Sequence, residues 1–150
     1  MSRHLEDFPT NVVLDRHLAC LQFSNADRFL RSAEEARSRG SDDIAYHSLA
    51  ITIELTLKSY LLAHVTDDDW NRVHIRHDLA KAVAYAKRAG LKPSPELSSV
   101  IALVHPYFMD GGFHRDPSGQ WPAGFAPTAC QIVRHLVATV AQAASFRIDT

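Results

Sequence analysis

The sequence predicts an all-α protein, an up-and-down bundle of about five helices. Apolar residues recur at steps of three and four through most of the chain, which is the spacing of one helix face. No segment shows convincing strand alternation, and no internal repeat is present. The connections between the helical segments are mostly short, so consecutive helices are expected to be mostly antiparallel.

The composition is that of a single globular domain over residues 1–150. The 46% hydrophobic and 22% charged fractions are ordinary for a folded protein of this length, which can bury a substantial core. The formal net charge of −1 excludes a global basic field, so any RNA or DNA contact would need a local patch. Residues 1–10 are expected to be a loose lead-in.

The sequence favours a cytoplasmic protein. Residues Met1–Asp7 turn acidic where a signal peptide would turn apolar. Glu54 and Lys58 interrupt the longest apolar run, so no membrane-spanning segment is predicted. The two cysteines, Cys20 and Cys130, are expected to be buried free thiols, and a disulfide between them is an open alternative.

The first two helices are predicted on either side of Gly40, which is a natural C-terminal stop. The predicted buried face of the first helix is made of apolar residues three, four or eight apart: Leu14, Leu18, Leu21, Phe29, Ala33 and Ala36. The second helix covers residues 44–65 and is apolar on most sides, so it should be the central helix. One line along it would let another helix approach closely, within the protomer or across a dimer: Ser48, Thr52, Thr56, Ser59 and Ala63.

Two shorter helices are predicted next. The third begins after His77 and stops at Gly90, and Asp78 is placed to stabilise its N-terminus. The fourth begins at Ser94-Pro95, a cap followed by a residue with a pre-set backbone angle. It should kink or end at Pro106, which cannot donate a backbone hydrogen bond and crowds the preceding turn.

A long loop and a last helix complete the predicted domain. Residues 110–126 contain four of the six glycines and three aromatic residues. Loops of this length inside a compact domain are uncommon and usually functional. The last helix is predicted from Pro127 to about Phe146.

Glu54 and Lys58 are the first candidates for a functional site. Glutamate four residues before lysine is the favourable orientation for an ion pair on a helix. An unpaired charge in so apolar a helix would be costly, so both residues should have partners. They form either a simple ion pair at the edge of the core or part of a cleft or dimer seam.

Histidines are concentrated between the central helix and the long loop: His64, His74, His77, His105 and His114. Imidazoles bind zinc or nickel, and several aspartates lie nearby in the sequence. However, neither His-Glu-x-x-His nor Cys-x-x-Cys is present. We therefore expect capping or solvent-facing histidines and predict no metal and no cofactor, with a metal-dependent hydrolase as a further alternative.

Arg72 and His77 are the candidate catalytic pair. Arginine can stabilise a pentavalent phosphate while histidine moves a proton, which suffices in principle for metal-independent RNA cleavage. Tyr107, His114 and Arg115 form a second group that could face a phosphate. The chain has neither a Walker-type phosphate loop nor the serine elbow of α/β-hydrolases.

The central part of the chain resembles the HEPN superfamily. The resemblance lies in residues 45–62, which carry Glu54 and Lys58, and in His77-Asp78-Leu79 before a short helix that ends at Gly90. It implies a helical bundle that forms a homodimer and acts in toxin–antitoxin, phage-defence or RNA-processing systems. It also implies that active members are metal-independent ribonucleases with an arginine followed four to six residues later by a histidine.

The chain departs from the family pattern in the position of that motif. In the family the motif usually lies on a later helix, often with Asn or Asp after the arginine, whereas Arg72 and His77 precede the third predicted helix. Members without the motif act as binding or regulatory modules. The resemblance therefore implies such a module for a nucleotide, RNA or small partner protein, and a ribonuclease using Arg72 and His77 is the alternative. The predicted binding residues are Glu54, Lys58, Tyr107, His114 and Arg115.

Overall fold

The computed structural model describes residues 4–110 and 121–148, with side chains described through residue 106 in the first range. These residues form six α-helices and no strand, which confirms the all-α class. The helices are α1 (Arg16–Ser38), α2 (Asp42–His64), α3 (Asp68–His74), α4 (Leu79–Arg88), α5 (Leu97–Asp110) and α6 (Phe125–Ala144). None of the described helices is both long and apolar enough to cross a membrane.

Helix α2 is the centre of the bundle, as predicted. It contacts α1, α4, α5 and α6, and its most extensive contact is with α1. Ile53, Leu57 and Leu61 are completely buried along it. Gly40 makes the reversal between α1 and α2 possible because its φ of +77° lies in the left-handed region.

The line of small residues on α2 lies inside the protomer. Ser48, Thr52, Thr56 and Ser59 are all buried there. The hydroxyl of Thr52 donates to the carbonyl of Ser48 at 2.8 Å, and that of Ser59 donates to the carbonyl of Thr56 at 2.7 Å. These two hydroxyls therefore satisfy their hydrogen bonds within α2 and leave the helix surface open to close packing.

The predicted face of α1 is partly wrong. Leu14 precedes the helix, which Asp15 caps by accepting from the amide of Leu18 at 3.0 Å, and Leu21 is 49% exposed. The residues that are buried are mainly small: Ala19, Phe23, Ala26, Asp27, Leu30, Ala33 and Ala36. Small side chains allow the close approach of α1 to α2. The buried face of α1 therefore contains more alanines than leucines.

The cysteine prediction is also corrected in one respect. Both cysteines are free, but Cys20 is exposed on α1 while Cys130 is buried in α6. Burial raises the pKa of the Cys130 thiol, because the thiolate would lose its solvation there.

The segment between α2 and α4 contains a helix that we predicted as a polar link. Asp67 caps α3 by accepting from the amide of Trp70 at 2.8 Å. Asp78 caps α4 by accepting from the amide of Lys81 at 3.0 Å, which confirms its predicted structural role. Arg76 ends α3 in the left-handed conformation, with φ +55°, and its amide donates to the carbonyl of Asn71 at 3.1 Å.

Helix α5 continues through Pro106 to Asp110, so of the two predicted alternatives at that proline, a kink or an end, the end is not observed. Helix α6 begins at Phe125, which places Pro127 in its first turn, where a missing amide hydrogen is tolerated. Most of the predicted long loop, residues 111–120, lies outside the described residues. Trp121 after it stacks on Tyr46 at 4.3 Å between ring centroids.

Residues 4–14 have no helical structure, but they are not loose as expected. Leu5 and Phe8 both pack against the core. The amide of Glu6 donates to the hydroxyl of Tyr85 at 2.7 Å, and its carbonyl accepts from Arg88 at 3.0 Å. The described part of the lead-in is thus attached to α4.

Candidate functional site

Four of the predicted site residues meet in one cleft of about 660 Å³. They are Glu54, Lys58, Arg72 and His77. Residues from α1, α2, α3 and the turn before α4 complete its lining: Gln22, Leu55, Asp68, Asn71, Val73 and Arg76. The cleft therefore joins the ion-pair candidate to the catalytic candidate.

Glu54 links these groups through its two carboxylate oxygens. Its Oε2 accepts from Nζ of Lys58 at 3.2 Å, and its Oε1 lies 2.7 Å from Nδ1 of His77. The side chains of Glu54 and Lys58 are each only 12% exposed. The pair is therefore an ion pair and part of a cleft at once, which were alternatives on the sequence alone.

His77 reaches Glu54 because the chain reverses direction between α3 and α4. The left-handed Arg76 turns the chain just before His77, and Asp78 begins α4 just after it. An ionised carboxylate can only accept hydrogen bonds, so Nδ1 of His77 is the donor. In the neutral imidazole Nε2 is then the basic nitrogen, on a side chain that is 68% exposed.

Arg72 lies on the exposed side of α3, in the same cleft as His77. Its side chain is 70% exposed, and its guanidinium forms an ion pair with Asp69, three residues before it. Exposed pairs of this kind contribute little to stability, so a ligand can compete for the arginine at low cost. A phosphate would offer the guanidinium a stronger, bidentate acceptor.

Two amide residues line the cleft that we had not predicted. Asn71 is 1% exposed and donates from Nδ2 to the carbonyl of Lys58 at 3.4 Å. Gln22 donates from Nε2 to Asp68 at 3.4 Å. The side-chain oxygens of both amides lack a hydrogen-bond partner among the described residues. Nothing in the sequence signals them, since only the fold brings residues of α1 and α3 to the cleft that Glu54 of α2 also lines.

Three predicted binding residues lie outside what the structure describes. The side chain of Tyr107 is not described, and His114 and Arg115 fall within residues 111–120. Their participation in the site remains a prediction.

Three other histidines of the predicted cluster make contacts outside the cleft. His64 bonds through Nδ1 to the carbonyl of Tyr60 at 2.8 Å, and the ring of His74 lies 4.7 Å from that of Trp70. Nε2 of His105 lies 4.0 Å from a carboxylate oxygen of Asp78. Within residues 4–110 and 121–148, no three His, Cys, Asp or Glu side chains are grouped as metal ligands. His114 lies outside these ranges.

A second cavity, of about 520 Å³, lies between α4 and α5. Its walls are mainly apolar, with Val83, Leu97 and Ile101 among them, and Lys87 and His105 add polar groups. Because it contains neither Arg72 nor the Glu54–His77 contact, the first cleft is the candidate site.

Comparisons of the chain with protein-family models, with curated proteins and with solved structures returned no match. The chemistry of the cleft and the motif resemblance are therefore the basis for a functional proposal.

Neutralising Glu54 should destabilise the protein. Glu54→Gln leaves the largely buried ammonium of Lys58 without its carboxylate, so we expect a loss of about 1–3 kcal/mol in the free energy of unfolding. The measurement is urea unfolding at neutral pH. The matched control is Glu35→Gln, which breaks an exposed pair with Arg39 and should cost less than about 0.5 kcal/mol. Equal losses in the two variants would contradict a structural role for the Glu54 carboxylate.

Proposed function

We propose that the chain is a HEPN-like binding module whose cleft takes a phosphate-bearing ligand, with RNA as the class that the resemblance implies. One observation supports this most strongly: four cationic or protonatable side chains line a single cleft. They are Lys58, Arg72, Arg76 and His77. Modules of this kind act in toxin–antitoxin, defence or RNA-processing systems.

The cationic groups of the cleft, which outnumber its acidic residues Glu54 and Asp68, suit a phosphate that arrives from solvent. Lys58 is held by Glu54 at the base of the cleft, so its position is set before a ligand binds. Arg72 and Arg76 are exposed at the rim. A phosphate can therefore replace Asp69 as the acceptor of Arg72 without burying a charge first. This local patch is what a chain of net charge −1 requires for contact with a nucleic acid.

Removing the cation of Arg72 should weaken RNA binding and its salt dependence. For Arg72→Gln we expect a several-fold loss of affinity for a labelled single-stranded RNA. The slope of log K against log salt concentration should become shallower by about 0.7, the value for one phosphate contact on a single strand. The measurement is fluorescence anisotropy in EDTA over a series of salt concentrations.

The matched control for Arg72→Gln is Arg39→Gln. Arg39 is also 70% exposed and also pairs with a nearby glutamate, but it lies at the end of α1, away from the cleft. Its removal should leave affinity and slope unchanged. Equal effects of both substitutions, or no RNA binding by the unaltered protein, would contradict an RNA site in the cleft.

A second candidate function is metal-independent RNA cleavage, which the 2.7 Å contact between Glu54 and His77 favours. With Nδ1 bonded to the carboxylate, Nε2 of His77 could take the proton of a ribose 2′-hydroxyl. The 2′-oxygen would attack the adjacent phosphorus, and the bond to the 5′-oxygen would break as that oxygen receives a proton from water. The protonated His77 would then return its proton to the solvent. Arg72 would stabilise the pentavalent phosphate, and the products would be a 2′,3′-cyclic phosphate and a 5′-hydroxyl.

If the cleft is a ribonuclease site, His77→Gln should slow cleavage by at least about 100-fold, the usual contribution of a general base. The measurement is cleavage of structured and single-stranded RNA in EDTA, followed by gel electrophoresis. His135→Gln removes another exposed histidine, on α6, and should leave the rate unchanged. Cleavage that survives both His77→Gln and Arg72→Gln would rule out this assignment. If the unaltered protein cleaves no RNA, the ribonuclease function is excluded and only the proposed binding function stands.

We also propose that the module is a homodimer, as the resemblance implies. Two exposed apolar side chains support this: Val73, which lines the cleft and is 66% exposed, and Leu21, which precedes the cleft residue Gln22 in the sequence and is 49% exposed. Light scattering at micromolar concentration should give twice the mass of one chain, and Val73→Glu should shift the protein toward the monomer. Ile44→Glu, at a 59% exposed position at the start of α2, is the control and should remain dimeric. A monomeric unaltered protein would contradict the proposal.

A further inference from the structure

Helix α3 forms one wall of the cleft but is weakly held in the bundle. It provides Asp68, Asn71, Arg72 and Val73 to the lining. Seven residues are too few for a helix that is stable on its own in water. Only Trp70 and Asn71 are buried in it. The position of this wall therefore depends on the contacts of those two side chains.

Trp70 is held in a cluster of three aromatic rings. Its ring lies edge-on to Tyr85 of α4 with centroids 4.8 Å apart, and 5.6 Å from the ring of Phe8. Phe8 also contacts Tyr85, at 5.9 Å. Such pairs stabilise the packing beyond the effect of the apolar area that they bury. Phe8 thus connects the residues before α1 to both α3 and α4.

The backbone beside Phe8 is held as well. Glu6 bonds through its amide to the hydroxyl of Tyr85 at 2.7 Å and through its carbonyl to Arg88 at 3.0 Å. Further along, Asp15 caps α1. The segment from residue 4 to 14 is therefore bonded to α4 near its start and continues into α1 at its end. Phe8, between these two points, contacts Trp70.

We propose that Phe8 is a positioning residue for the cleft, because it holds α3 against α4 through Trp70 and thereby sets the place of Arg72. Successive residues of an α-helix are rotated by about 100°, so the side chains of Trp70 and Arg72 leave α3 about 200° apart, on nearly opposite sides. If α3 tilts or frays at Trp70, the side chain of Arg72 changes its position in the cleft as well. The contact of Phe8 with Trp70 rests on no functional assumption, whereas its effect on ligand binding rests on the proposed RNA site.

The test is hydrogen exchange of the full chain, read by mass spectrometry, together with RNA affinity by anisotropy. In Phe8→Ala, exchange should become faster across residues 68–76 while α1, α2 and α6 keep their protection. RNA affinity should fall several-fold, as we also expect for Arg72→Gln. Phe8→Tyr keeps the ring and should restore both. The matched control is Phe125→Ala, which removes another partly buried phenylalanine packed on the core, at the start of α6.

The outcomes separate this proposal from the RNA proposal. If the unaltered protein binds no RNA, the exchange measurement alone decides the role of Phe8 in holding α3. Unchanged exchange of residues 68–76, or a uniform increase in all helices equal to that of Phe125→Ala, would overturn that role. Faster exchange of α3 with unchanged affinity, in a protein that binds RNA, would overturn the effect on the cleft. If Phe8→Ala does not fold, Phe8→Leu gives a smaller perturbation with the same expected pattern.

Discussion

The carboxylate of Glu54 connects the core of this protein to its surface chemistry. It lies on α2, the helix that contacts α1, α4, α5 and α6, and it accepts from both Lys58 and His77. A carboxylate that is largely buried is stable only when its oxygens have such partners. The same two bonds that make the burial of Glu54 tolerable also place an ammonium and an imidazole in the cleft.

The walls of the cleft differ in how firmly they are held. Glu54 and Lys58 belong to the central helix, which is packed on several sides and therefore holds them firmly. Arg72 belongs to a seven-residue helix that is anchored mainly by Trp70. A rigid base with a more adjustable cationic wall fits the proposed ligand, whose phosphates would approach from solvent. Without a ligand, Asp69 pairs with Arg72 in an exposed ion pair, which contributes little to stability and can be replaced by another anion.

Helical periodicity predicted the fold class and the central helix, since these depend on local patterns. The Glu54–Lys58 spacing predicted their ion pair, and the position of Asp78 predicted that it stabilises the N-terminus of α4. The bond between Glu54 and His77 joins residues far apart in the sequence and requires a left-handed turn at Arg76, where no glycine marks it. Helix α3 was missed because a short polar segment shows no periodicity. The face of α1 was misjudged because close packing selects alanines over leucines.

The most direct test of the role of Glu54 is the tautomer of His77, read from the nitrogen-15 shifts of its ring by NMR. An ionised Glu54 that accepts from His77 requires a proton on Nδ1, with Nε2 as the basic nitrogen when the ring is neutral. We expect this tautomer to predominate in the unaltered protein. In Glu54→Gln, we expect that it no longer predominates. A neutral His77 that carries its proton on Nε2 in the unaltered protein, as solvated histidines usually do, would contradict the orientation of His77 by Glu54.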